Sequence, residues 1–167
     1  MVSTTARAAT AANDTGDLLI GQSAHLSGPL APTFLPVVRG QELALEQINK
    51  RGGVHGRKVK LKVLDDAYDP KKAVENVNRL IDDAKVVALF GLASTGTVGA
   101  VLPIVADKKV PLVGVYTGSP VLRAKQNPYF FTTMASYRDE VAAMIRNLVT
   151  LQRTQIAVLW SKNPFGQ

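Results

Sequence analysis

Cysteine is absent from this 167-residue chain. That removes disulfides, thiolate nucleophiles and every zinc or iron–sulfur site built on thiolates. Histidine is scarce: His25 and His55 are the only two, too few for a multi-histidine metal centre. Aromatic residues supply 6% of the sequence, with a single tryptophan. No apolar run approaches the ~18–20 residues of a membrane-spanning helix. No G-x-S-x-G elbow occurs, and neither histidine has a triad partner at a recognisable spacing, so no catalytic set emerges. What is present is 46% apolar and 20% charged residues, the balance of a globular chain rather than a disordered or fibrous one.

The net charge is +7, with Lys50, Arg51, Arg57, Lys58, Lys60 and Lys62 close together. Nucleic-acid binding would pair such a cluster with stacking aromatics or a groove-reading helix, and the aromatics lie elsewhere. Lys58, Lys60 and Lys62 instead alternate with Val59, Leu61 and Val63. This is the pattern of an edge strand with one wet face, where lysine discourages unwanted pairing.

Residues 1–17 are small, polar and Ala-rich, and read as a disordered leader. An export signal would need an apolar h-region that this segment does not contain. From Leu18 onward strands and helices alternate. LLIGQSAHL reads as a strand, 37–50 as a helix closed by Gly52-Gly53, and VKLKVLDD as a second strand. Asp69 then offers an N-cap with Pro70 at the first helical position. Val74, Val77, Leu80 and Ile81 form the stripe of that helix. VVALFG is a strand buried on both faces, and Val98, Val101, Leu102 and Val105 mark a third helix, which Pro103 should kink or shorten. VPLVGV, a short helix from Ser119-Pro120, YFFTTM, a helix to about residue 151 and a last strand QIAVLW complete the pattern. Such alternation with short connections defines an α/β fold: three αβα layers around a mainly parallel, doubly wound sheet. Ligands of such sheets bind beyond the carboxyl ends of the strands.

Two loops at those ends carry the chemistry. Gly91-Leu92-Ala93-Ser94-Thr95-Gly96-Thr97 has the G-x-x-x-x-G spacing of a phosphate loop, but Thr97 stands where the lysine belongs. Its hydroxyls, glycines and helix start favour a small anion such as a carboxylate, although Ser94 as a plain helix cap explains the same residues. Tyr116-Thr117-Gly118-Ser119-Pro120 opens the next helix in the same way. Together the two loops would form one polar crevice with Tyr116 as its wall. Asp65, Asp66 and Asp69 lack the spacing of a calcium loop and read as turn and cap residues.

The strings IGQSAHLSGPLA, GQELALEQINKRGGVHGRKVKLKVLDDAYDPKKAVENVNRLI, VVALFGLASTGT, VPLVG and NPFGQ resemble, in this order, the solute-binding proteins of ABC importers. The leucine/isoleucine/valine-binding type, with the type I periplasmic binding fold, is the nearest match. The resemblance implies two lobes closing on a ligand, in a protein roughly twice this length. Residues 18–135 would be the first lobe, and 136–167 the hinge crossing and truncated start of the second. It implies a ligand carboxylate held by Ser94 and Thr95, an ammonium group taken by Tyr116, Thr117 and Gly118, and flanking contacts from Thr33 and Phe165. Phe34 lies beside Thr33, where relatives often carry an aromatic.

The implied function is capture of an amino acid, branched-chain ones included, or a similar small carboxylate. The resemblance further implies delivery to a membrane permease in the periplasm or outside the cell, with no catalysis, cofactor, metal or nucleic acid. A ligand-sensing receptor domain of the same fold is the alternative, as is a doubly wound enzyme for a phosphorylated substrate. Uncovered apolar surface, notably Ile156, Val158 and Trp160, leads us to expect that the chain self-associates.

Overall fold

The computed structural model describes residues 16–124 and 126–166. Most of the segment read as a leader, residues 1–15, lies outside them. Its last two residues are tied down: the Arg57 side chain donates to the Gly16 carbonyl at 2.6 Å, and Lys60 pairs with Asp17 at 2.5 Å. The elements are β1 (Leu18–Ala24), α1 (Ala31–Lys50), β2 (Val59–Asp65), α2 (Pro70–Asp82), β3 (Ala88–Phe90), α3 (Thr95–Lys108), β4 (Leu112–Val113), a 3-10 turn (Pro120–Arg123), β5 (Phe130–Phe131) and α4 (Tyr137–Thr150). Among the described residues no helix is long and apolar enough to cross a membrane.

The strands form one parallel sheet in the order β2-β1-β3-β4-β5. The lysine-bearing strand β2 is an edge, as its alternation predicts. The chain winds outward from β1 to β2, returns to β3 on the other side of β1, and continues in that direction. Right-handed crossovers then place α1 on one face and α2 with α3 on the other. The gap between β1 and β3 is the topological switch point, where the loops leaving the two strands diverge to opposite faces.

The two faces are packed very differently. Ala73, Val77 and Leu80 of α2 meet Val98, Val101 and Val105 of α3 over Leu89 and Leu112, all fully buried. On the other face α1 buries only Val38. A cavity of about 660 Å³ lies between α1 and the sheet, lined by Val37, Ala44, Ile48, Phe90 and Val113 among others. One face is a finished core and the other is open.

Several boundaries differ from the sequence expectation for physical reasons. Helix α1 begins at Ala31 rather than 37, because Pro32 falls in the first turn, where a missing N–H costs nothing, and Pro36 forfeits a single bond on an exposed side. Pro103 likewise sits on the exposed face of α3, which runs unbroken from Thr95 to Lys108. Water can satisfy the carbonyl it leaves. QIAVLW forms no strand: residues 152–160 carry no regular structure. A strand exists only by pairing, and among the described residues nothing pairs with this one.

Gly91 ends β3 with a φ of 68°, and a Cβ there would lie 2.7 Å from the buried Gln22 amide nitrogen and closer still to that of Gln41. Gln22 meanwhile donates to the Gly91 carbonyl at 2.8 Å. Gly91→Ala should therefore destabilise the chain by about 1–3 kcal/mol in urea unfolding.

A hydroxyl-lined candidate ligand site at the switch point

Strands β3 and β4 deliver their following loops side by side. Ala93 forms a parallel bridge with Tyr116. The Tyr116 N–H donates to the Leu92 carbonyl at 2.7 Å, and the Ser94 N–H donates to the Tyr116 carbonyl at 3.3 Å. The Thr95 and Thr117 hydroxyls meet at 3.0 Å with both residues buried. Thr117 Oγ1 also accepts from the Ser119 N–H at 3.3 Å. Ser94, Thr95, Tyr116 and Thr117 are thus one assembly, as the two-loop reading predicts. The buried threonine pair braces the loops, with half-buried Ser94 and the start of α3 beside it.

Ser94 carries an unusual backbone, φ 70° and ψ 145°. A residue with a Cβ rarely adopts this conformation, at a cost of order 1–3 kcal/mol. Its half-buried Oγ accepts from the Thr97 N–H at 3.3 Å and lies 3.1 Å from the Thr97 hydroxyl, whose single proton goes to the Ala93 carbonyl. The N–H groups of Thr95 and Gly96 open α3, beyond reach of the helix's own carbonyls. No acidic residue occupies the first turn. Donors, dipole and strain converge on one point suited to a carboxylate.

The remaining candidates are spread more widely. Gly118 sits where a Cβ would come 2.5 Å from the Ala135 carbonyl, and its own carbonyl accepts from the Tyr137 N–H at 2.9 Å. Phe165 stacks edge-on against Tyr137 at 5.7 Å. The two rings border a cleft of about 560 Å³ that also includes Ser119, Arg138 and Val141. Pro164, rather than Phe165, approaches the α3 start: a Cβ on Gly96 would lie 3.9 Å from it. Thr33 is exposed in the first turn of α1. It is the neighbouring Phe34 that reaches the crevice, edge-on to Tyr116 at 6.1 Å.

The acidic group performs the turn and capping work expected of it. Asp69 caps α2 through the Lys71 N–H. Asp65 accepts from the N–H groups of Leu26, Ser27 and Ala67 and from the Ser27 hydroxyl. Burial works against the charged form of Asp65, but the hydrogen bonds from Ser27, Ala67 and Leu26 outweigh it. They hold the carboxyl below its ordinary 3.8. The Ala67 N–H bond to Asp65 and the Tyr68 N–H bond to Asp66 sustain left-handed conformations at Ala67 and Tyr68, φ 50° and 67°. Asp66 is buried against His25, a contact invisible in a sequence where the two lie 41 residues apart. The register that pairs Ala24 with Asp65 makes them neighbours.

A single parallel sheet in the order β2-β1-β3-β4-β5, with helices on both faces, defines a doubly wound α/β domain. Residues 18–167 match the periplasmic binding protein family, and the chain belongs to it. It is 32% identical over 152 residues to Leu/Ile/Val-binding protein homolog 3 of Brucella melitensis, a match covering 90% of this chain and 41% of that protein. The chain therefore spans about two-fifths of the length of that relative. The solved substrate-binding periplasmic protein of Ralstonia solanacearum superposes with a TM-score of 0.84 at 32% identity, over 90% of this chain and 42% of that one. The solved relatives include the branched-chain amino acid transporter substrate-binding protein LivJ of Streptococcus pneumoniae in complex with isoleucine. It matches at 25% identity and TM-score 0.65, over 72% of this chain and 34% of that one. An ABC transporter solute-binding protein of R. palustris in complex with benzoate matches at 26% and 0.73, over 82% and 38%.

Replacing Ser94 separates strain from capping. Ser94→Gly should raise stability by about 1 kcal/mol by relieving the backbone, whereas Ser94→Ala keeps the strain, loses the cap and should lower it by about 1 kcal/mol. Urea unfolding of the two variants distinguishes them. Asp65 yields a pH dependence. Its folded pKa lies below the unfolded one, so its contribution is present above pH 3.8 and is lost as pH falls through the folded value. Asp65→Asn should flatten the acid limb of the stability profile.

Proposed function

We propose that this chain supplies the first lobe of a solute-binding protein that captures an amino acid, or a similar small carboxylate, for an ABC importer. In this reading residues 18–135 form that lobe and residues 136–167 begin the second. The observation that carries it is the joining of two strand-to-helix loops through Thr95 and Thr117 beside the switch point, with the α3 N–H groups left to donate. A ligand carboxylate sits on Ser94 and the Thr95 N–H. The Tyr116-Thr117-Gly118 loop takes the ammonium group, and Phe165 and the region of Thr33 flank the ligand. The function in this reading is capture without catalysis, which the solute-binding names of the relatives support. The partner is a membrane permease, and the place of work is the periplasm or the cell exterior. The Leu/Ile/Val-binding name of the relative supports an amino acid, and the benzoate of the solved neighbour supports the wider class of small carboxylates.

Titration calorimetry of the two-lobed protein against the twenty amino acids and benzoate tests this. Binding of one of them, weakened at least about tenfold by Ser94→Gly, is the expected result; no heat from any sinks the reading. For the 167-residue chain itself we expect self-association, because Val158, Leu159 and Trp160 are 80%, 101% and 60% exposed and the α1 face is open. Light scattering that finds only monomer at high concentration contradicts it.

A further inference from the structure

His25 is fully buried, at 0% exposure, although it lies at the end of β1 beside the crevice. Its Nδ1 meets Asp66 Oδ1 at 2.5 Å. Asp66 is itself tightly fixed: Oδ1 accepts from the Tyr68 N–H at 3.0 Å, and Oδ2 from the Ser23 hydroxyl at 2.7 Å. Ser23 is held in turn by the Asn76 amide at 3.1 Å. With Nδ1–H given to Asp66, the other ring nitrogen is a bare acceptor, and it has no partner. An orphaned buried polar atom is expensive, and a phenylalanine would avoid it. The ring is therefore kept for something other than its second nitrogen.

What the ring touches supplies the reason. Its edges meet Phe34 at 4.7 Å and Tyr68 at 5.0 Å, both nearly perpendicular. Phe34 meets Tyr116 at 6.1 Å, again nearly perpendicular. An unbroken path thus runs from the floor of the fold to the wall of the crevice: Asn76, Ser23, Asp66, His25, Phe34, Tyr116. Tyr116, 47% exposed, is its solvent-facing end. A phenylalanine at position 25 would pack against the same rings without a bond to fix its rotation. The imidazole both packs against the rings and is anchored by Asp66.

We propose that His25 is a positioning residue for ligand recognition: clamped by Asp66, it sets Phe34, and through Phe34 it sets the Tyr116 ring that walls the crevice. The proposal rests on the ligand-capture reading for its purpose but not for its test, which needs no ligand.

The chain has four tyrosines, Tyr68, Tyr116, Tyr129 and Tyr137. Labelled with 3-fluorotyrosine, it gives one fluorine resonance for each, with Tyr116 assigned by Tyr116→Phe. His25→Asn keeps a donor for Asp66 and removes the ring. The expected result is a shift of the Tyr68 and Tyr116 lines with those of Tyr129 and Tyr137 in place. His25→Phe, which keeps the stacking surface, should return the Tyr116 line toward its original position while broadening it. A role limited to stability would lower the unfolding midpoint and leave the Tyr116 line unmoved, and that result overturns the proposal. Should His25→Asn not fold, Asp66→Asn carries the test, because it loosens the clamp with the ring still present. A Tyr116 line unchanged in that variant is equally decisive against it.

Discussion

A parallel sheet brings the carboxyl end of every strand to one edge, and each crossover helix must therefore begin at that same edge. The reversal of winding between β1 and β3 then splits the loops to opposite faces and opens a crevice between them. Every feature of the candidate site follows from this constraint. The unsatisfied N–H groups at the start of α3 and the approach of Phe34 from α1 result from helices starting together where the loops after β1 and β3 part, and the bridge between Ala93 and Tyr116 continues the pairing of β3 with β4.

The polar interactions at that edge hold conformations that the backbone alone would not choose. Asp65 and Asp66 spend their oxygens on the N–H groups of Ala67 and Tyr68, which occupy the left-handed region. Ser94 is kept in its strained conformation by the bridge to Tyr116 and by its own cap on Thr97. Strain of this kind persists only where the surroundings over-determine it. Ala67, Tyr68 and Ser94 lie at this edge, while His55, Lys85, Lys109 and Gln152 adopt positive φ in turns elsewhere; the core residues Val77, Leu80, Val98 and Val101 need nothing more than to be apolar and well packed.

The two faces of the sheet are covered unequally. The face of α2 and α3 is complete, while the face of α1 holds a wide cavity and leaves much of the helix exposed. The relatives in the family are more than twice as long. The open face beside α1 and the exposed side chains of Val158, Leu159 and Trp160 leave apolar surface uncovered among the described residues.

By itself the sequence determined the layer architecture, because strand and helix periodicities alternate too regularly to mean anything else. It also determined the start of α2, where Asp69 and Pro70 act within a single turn, and the pairing of the hydroxyl-rich loops, because each follows a wholly apolar strand. Those are local signals, decided by residues a few positions apart. It misjudged α1 and α3 at Pro36 and Pro103, since a proline's cost depends on whether its orphaned carbonyl faces water, and that is a property of packing. It named Thr33 with Phe34 beside it but could not place Phe34 against Tyr116, and it left His25 without a role. Strand QIAVLW has the right composition and no partner. Only the tertiary structure decided these. Register placed Asp66 beside His25 across 41 residues, and rings that share no sequence pattern met because the sheet edge gave them nowhere else to go.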